Sequence, residues 1–327
     1  MKLNEIIKVP TDVSARLDAE LGSRADGANI STALNGVGGG AYFSRQLEFV
    51  LAEVLMTPKA PLSGFMLFPV DTSLPEGAET YVQRIEDSYG EARIGGSYAD
   101  DPPTSDVSKL EYSMAISPIF TGFSYSVQDI AAGIMAGSSL ATDRAAAAME
   151  ADRQKHNDVM FGGNVSTGQL GLHTHPTIPR VVEAARPTTA AGWAALLNDG
   201  VSRIRVRTKT LATGLTVLVS TSIFETVSKL NMGNGTDLTV LEYVKRNNPH
   251  VTDIIEVYEQ GGAGAGGADL VSFVPINPMY LQYRARLWRP MPVQVRNYVY
   301  STPCLSRTGG MHIKMPVFFE HVEVPAA

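Results

Sequence analysis

The stretch SVQDIAAGIMAGSSLATDRAAAAMEADRQKHNDVMF, residues 126–161, decides the fold. It is rich in alanine and methionine and breaks near Gly137-Ser138-Ser139. With Thr142 as the N-cap of its second half and Gly162-Gly163 as its stop, it predicts the longest helix of the chain. A continuous helix from Thr142 to Phe161 would span about 30 Å at 1.5 Å per residue, enough to cross a whole domain. The alanines at 145 to 148 let a sheet or a second helix approach closely.

On the N-terminal side of this helix the pattern is β. The runs Met66-Leu67-Phe68, Thr80-Tyr81-Val82, Ala92-Arg93-Ile94 and Tyr112-Ser113-Met114 alternate with Pro75, Gly77, Gly90, Gly95, Gly96, Pro102 and Pro103. A long hairpin over 63–124 is the economical reading. Its many charges and chain breaks cannot make a thick core, so it should project and lie on something. Before it, Leu47, Val50, Leu51, Val54 and Leu55 form one apolar helical stripe after Ser44, closed by Thr57-Pro58. Residues 1–41, with scattered charges and the glycines 36, 38, 39 and 40, read as an arm that neighbouring subunits would order.

On the C-terminal side the chain reads as an α+β body. Residues 192–210 suit a helix, although the alternation of Arg203, Arg205, Arg207 and Lys209 also suits the polar side of a strand. Leu215–Val219 is a buried strand and Ser222–Leu230 a helix. Thr239 with Glu242 has capping-box spacing and opens a helix that stops at Asn248-Pro249. Ile254–Tyr258 and Leu270–Val274 are strands around a glycine-rich turn, and Val293–Tyr300 and Met311–Val324 are mostly β.

At 327 residues, with 44% hydrophobic and 18% charged content, the chain can build one large or two modest cores. No apolar run approaches the roughly 20 residues that span a bilayer, and the start MKLNEIIKVP has no signal-peptide pattern. The net charge of −6 argues against a protein built to grip phosphates. Cys304, the single cysteine, sits between Pro303 and Leu305 and reads as a buried structural thiol.

Chemistry is weakly signalled. Gly262, Gly264 and Gly267 satisfy G-x-G-x-x-G, but a dinucleotide site needs a helix after the last glycine, and Ala268–Val274 continues as a strand. His173 and His175 would share one side of a strand and could ligate a metal, with His156 a conceivable third ligand; ordinary loop histidines are the simpler reading. There is no G-x-S-x-G, H-E-x-x-H or phosphate-loop motif. The cluster Arg203, Arg205, Arg207 and Lys209 lacks interleaved aromatics and reads as a solvated face or a subunit contact.

Several segments together resemble the tailed-bacteriophage major capsid proteins with the Hong Kong 97 fold. They are Arg45-Gln46-Leu47-Glu48, Pro75-Glu76-Gly77-Ala78-Glu79-Thr80, Tyr98-Ala99-Asp100-Asp101, Tyr125-Ser126-Val127-Gln128-Asp129-Ile130, Met135-Ala136-Gly137, Leu241-Glu242-Tyr243, Asn247-Asn248-Pro249, the glycine loop at 262–267, and Arg307-Thr308-Gly309-Gly310. The resemblance implies an arm and short helix (1–62), an extended hairpin loop (63–124), a spine helix with a peripheral domain (125–214), an axial domain (215–290), and C-terminal strands completing the peripheral domain (291–327). It implies pentamers and hexamers that form an icosahedral shell around double-stranded DNA, located in the virion after assembly in the bacterial cytoplasm. A separate scaffold protein, a portal and a decoration protein would be partners; no catalysis, cofactor, metal or membrane is expected. Tyr42, Phe43, Glu76, Glu79, Arg84, Arg93 and Arg307 are the candidates for inter-subunit contacts, and Gly262, Gly264 and Gly267 for an axial loop. The chain departs from the best-known member in having no lysine between Lys59 and Lys109, so that member's isopeptide cross-link is not expected. An encapsulin-like compartment shares the fold and is the nearest alternative; a metal-dependent enzyme using His173 and His175 is the alternative of a different class.

Overall fold

The computed structural model describes residues 59–94, 103–136, 140–233 and 236–326. Along them run α1 (Ser63–Leu67), β1 (Val70–Asp71), β2 (Thr80–Tyr89), β3 (Asp106–Ala115), β4 (Ser117–Ser126), α2 (Val127–Ala136), α3 (Leu140–Gly162), β5 (Arg180–Val182), α4 (Ala190–Arg207), β6 (Leu215–Val219), α5 (Thr221–Lys229), β7 (Asn231–Gly233), β8 (Thr236–Thr239), α6 (Val240–Asn247), β9 (Val251–Glu256), β10 (Asp269–Pro275), β11 (Leu281–Pro290), β12 (Gln294–Arg296), β13 (Val299–Ile313) and β14 (Glu320–Val324). The stripe expected at Leu47–Leu55, the arm, and Tyr42 and Phe43 lie outside the described residues.

Two sheets carry the body. In the first, β13 is the long central strand: β11 and then β1 lie on one side, β12 pairs with its start, and β4 pairs along its other edge. The second has the order β5-β14-β10-β6-β9, with β10 antiparallel to both neighbours. β6, β10 and β14 are buried at every residue because both faces of this sheet are covered. Val217, Val219, Val271 and Phe273 pack under α4, α5 and α6. Leu218 and Val274 face the other way and join Val159, Met160 and Phe161 of α3 with Leu281, Tyr283, Met311 and Ile313 of the first sheet. The C-terminal end of the 23-residue helix, about 34 Å long, therefore lies in the core that links the two sheets.

Several local expectations are corrected. Met66-Leu67-Phe68 is not a strand: Met66 and Leu67 end α1 and Phe68 is its extended C-cap, with Phe65 and Phe68 turned inward while Met66 is 83% exposed. Ala92-Arg93-Ile94 lies outside any strand, because the β2–β3 ladder ends at Tyr89 opposite Asp106. Thr142 is inside α3, which begins at Leu140. Tyr258 belongs to a short 3-10 turn after β9. Residues 190–207 form a helix, and Arg203 and Arg207, one turn apart, both reach the buried Glu320 (2.6 and 3.2 Å), so half of the basic cluster faces inward. The sheets also cross the boundaries drawn at residue 290: β11 pairs with β13, whereas β14 pairs with β10.

The strand at Leu215–Val219, the Thr239 cap, which accepts from the Glu242 amide, and the stop at Gly163 appear where the sequence placed them. One glycine fixes the packing of α4 on the second sheet. A Cβ on Gly200 would lie 2.3 Å from the Phe273 ring. In a free helix Gly→Ala stabilises by about 1 kcal/mol; here the sign should reverse, and Gly200→Ala should destabilise the subunit by about 1–3 kcal/mol through overpacking. Urea unfolding of the two proteins checks the sign.

Candidate assembly surface

Among the described residues, β2 and β3 form a ribbon with no sheet partner beyond each other. Directly opposed residues share a face, so the register divides the ribbon into two unlike sides. One carries Arg84 opposite Glu111 and Glu86 opposite Lys109, both ion pairs at 2.8 Å and both exposed. Such pairs contribute little energy but fix the register. The other side begins at the buried pair Tyr81–Met114 and continues outward through Gln83–Tyr112 and Ile85–Leu110 to Asp87–Ser108 and Tyr89–Asp106. Leu110 is 65% exposed, and Ile85, Tyr112 and Tyr89 are also open. The hairpin is amphipathic, and among the described residues nothing covers its apolar side beyond the Tyr81–Met114 rung.

The base of the hairpin is held firmly. Arg307 donates to the carbonyls of Pro75, Glu76 and Ala78, and Arg286 to that of Leu74. The Glu76 carboxylate bridges Arg286 and Arg289 at 2.7 and 2.6 Å. Three arginines of the first sheet thus clamp the loop that precedes β2. Beneath it, Leu74, Tyr81, Met114 and Ile116 form a small core of their own, and the Arg284 guanidinium lies 4.6 Å from the Tyr81 ring centroid.

The sequence candidates fall differently across this geometry. Glu76 and Arg307 meet, but within one chain. Glu79 has an exposed side chain, and its carbonyl accepts from Ile116. Arg84 pairs with Glu111 across the hairpin, and Arg93 is exposed beyond its strands. Gly262, Gly264 and Gly267 lie in the turn between β9 and β10; Gly262 and Gly267 have φ of +66° and +82°, which glycine tolerates, and the chain then enters β10 and not a helix. The sequence reading missed Arg286 and Arg289. The period-two alternation of Leu281-Gln282-Tyr283-Arg284-Ala285-Arg286, with the apolar positions buried, was the available signal.

The polar groups with catalytic potential serve packing. Thr308 and Tyr283 hydroxyls lie 2.8 Å apart, Tyr283 Oη is 2.6 Å from His156 Nδ1, and His156 Nε2 is 3.1 Å from Ser306 Oγ, which donates to Asp152 at 2.5 Å. All five are buried, and burial holds His156 below its usual range against the pull of Asp152. A neutral His156 lets every donor in the chain point one way, from Thr308 to Asp152. Both Asp152 and His156 address Ser306, and the other ring nitrogen is spent on Tyr283, so the arrangement is a staple of α3 to β11 and β13 and not a nucleophile with its base. Cys304 is buried beside it, with its thiol pushed up by burial.

His173 and His175 lie on a turn, not a strand. His175 Nδ1 contacts Thr177 Oγ1 at 2.8 Å. His321 Nε2 lies 3.0 Å from the Leu172 carbonyl and donates to it, so Nδ1 accepts the single Ser272 hydroxyl hydrogen at 2.8 Å. Ser272 Oγ also lies 3.0 Å from Gln260 Oε1, so one buried hydroxyl links His321 and Gln260. Among the described residues, no three His, Cys, Asp or Glu side chains converge on a metal-sized site.

Residues 90–323 match the family model described as "Major capsid protein". The chain belongs to this family. As a capsid protein it has a structural role, and its fold recurs in phage shells. It is similar to the capsid of the Myoviridae phage XM1 (16% identity, 88% of this chain and 100% of that one, TM-score 0.76). It is also similar to the capsid of an empty GTA particle (10%, 86% and 97%, 0.63) and to the solved structure titled Mycobacterium phage Bobi (14%, 86% and 96%, 0.59). No curated protein matches the sequence significantly.

The buried histidines of this capsid protein should make its folded subunit less stable in acid. Burial lowers His173 to about 3 and His312 and His321 to about 4. Below pH 6.5 the unfolded chain takes up protons that the folded chain refuses, so stability falls as pH drops toward 4. By pH 5 the loss is about 2 kcal/mol per histidine. Urea midpoints of dissociated subunits should fall clearly from pH 7 to pH 5; equal midpoints would contradict the assignment.

Proposed function

We propose that copies of this chain close, as pentamers and hexamers, into the icosahedral head of a tailed phage enclosing double-stranded DNA. The observation that carries this reading is the amphipathic hairpin: an isolated two-stranded ribbon is marginal in water, and this one leaves Ile85, Leu110 and Tyr112 uncovered. A second copy that covers them turns surface unusable within one chain into interface. The net charge of −6 suits a container whose wall does not hold packed DNA tightly. The viral family favours a phage head over a cargo compartment. Assembly in the bacterial cytoplasm, a separate scaffold protein, a portal and a decoration protein belong to the same proposal and rest on the resemblance. The long helix as spine and the glycine turn as axial loop rest there too.

Leu110→Asp should leave the subunit folded, since exposed substitutions change stability by about 0.5 kcal/mol or less, yet abolish shells in negative-stain electron microscopy. Ser88→Asp, on the charged side of the ribbon, should still assemble. Normal shells from Leu110→Asp would refute the role given to this face.

A further inference from the structure

β11 slips register opposite Ser306, one member of the relay that ties α3 to the first sheet. Arg286 pairs with Arg307 and Arg289 with Leu305, so Leu287 and Trp288 together face the single residue Ser306. A bulge of this kind re-aims the side chains of the strand that carries it. Leu287 would otherwise continue the inward series Leu281, Tyr283 and Ala285, yet it is 53% exposed. Trp288 is anchored, its indole N–H donating to Thr121 Oγ1 at 3.2 Å. Between the bulge, α1 and α3 lies a cavity of about 400 Å³, within the size range of small-molecule sites.

Its walls include the apolar side chains of Phe65, Met149, Leu287 and Trp288, and Asp152 lies on its lining although the residue is only 2% exposed. Asp152 Oδ1 accepts from Ser306. Its Oδ2 accepts no hydrogen bond from the described residues and lies 3.5 Å from His156 Nε2, whose hydrogen the relay already directs to Ser306. A buried carboxylate satisfied on one oxygen alone is costly, and a cation that brings its own N–H donors relieves that cost. We propose that this cavity binds a small aliphatic amine, with its ammonium on Asp152 Oδ2 and its hydrocarbon stem against Phe65, Met149 and Trp288. Other ligand classes fit less well. A metal ion would find one carboxylate and, among the described residues, no cluster of further ligands. A carboxylic acid would set like charges together, and a neutral apolar molecule would leave the buried charge unpaired. Arg153 also borders the cavity, but it is exposed and water screens its charge. The site belongs to the subunit itself and stands apart from the shell reading above.

Trp288 reports on the site, because Trp193, the other tryptophan, is fully buried in the separate core of α4 and the second sheet. Tryptophan fluorescence of dissociated full-length subunits, titrated with hexylamine, hexanol and hexanoate, should show saturable binding of hexylamine. Hexanol should bind at least about tenfold more weakly for want of a charge-assisted hydrogen bond, and hexanoate more weakly still. Closed shells should bind hexylamine as the subunits do. Asp152→Asn should reduce hexylamine to the level of hexanol and leave hexanol unchanged, which shows that the cavity still forms. Leu287→Lys, at an exposed position, keeps Asp152 and sets a tethered ammonium beside the cavity. It should weaken hexylamine at least about tenfold with an unchanged urea midpoint, and it decides the matter if Asp152→Asn does not fold. Equal affinity for hexylamine and hexanol, or hexylamine binding undiminished by the variants, would overturn the amine site. Binding to subunits that vanishes in shells would overturn the free ligand, since a neighbouring chain would then fill the cavity.

Discussion

A two-stranded ribbon has no second layer, so whatever apolar surface it carries must be covered from outside the ribbon. Here the pair Tyr81–Met114 is covered by the chain's own small core, whereas the next two rungs on the same side are not. That division sets the boundary between what one chain stabilises and what only an assembly can. The clamp of Arg286, Arg289 and Arg307 on residues 74–78 lies at this boundary, where it fixes how the ribbon leaves the body. A ribbon rigid at its base presents its uncovered rungs in a defined direction, which limits the ordering cost of association.

The body behind the ribbon has a different energetic character. Its second sheet is apolar on both faces, and its first sheet is tied to α3 by the relay from Thr308 to Asp152. A buried relay of this kind restricts how α3 can sit on the sheet, because any shift leaves a carboxylate or hydroxyl unpaired. The inward-facing Arg203 and Arg207 secure the last strand in the same manner through Glu320. The subunit therefore combines a determined body with a ribbon whose outer apolar rungs no described residue covers.

Much of this was legible in the sequence. Continuous apolar runs marked β6 and β10, cap chemistry marked α6, and the alanine-rich stretch marked α3, since each signal is local. The hairpin was legible as an excursion too punctuated to hold a core. Its two unlike sides were not, because they depend on the pairing of residues such as Ile85 with Leu110, and pairing is a register, not a composition. The clamp escaped notice for a related reason: Glu76 and Arg289 are distant in the chain, and Glu76 and Arg307 looked like surface charges awaiting another subunit. The basic cluster misled similarly, because Glu320, which receives two of its members, is far along the sequence.

The central claim is that the hairpin's apolar side is covered only by another copy. Hydrogen exchange of the full-length protein, compared between dissociated subunits and closed shells, tests it most directly. The account predicts that amides of 80–89 and 106–115 exchange fast in free subunits and slow strongly in shells, while β6 and β10 are protected in both. Equal protection of the hairpin in the two states would contradict it.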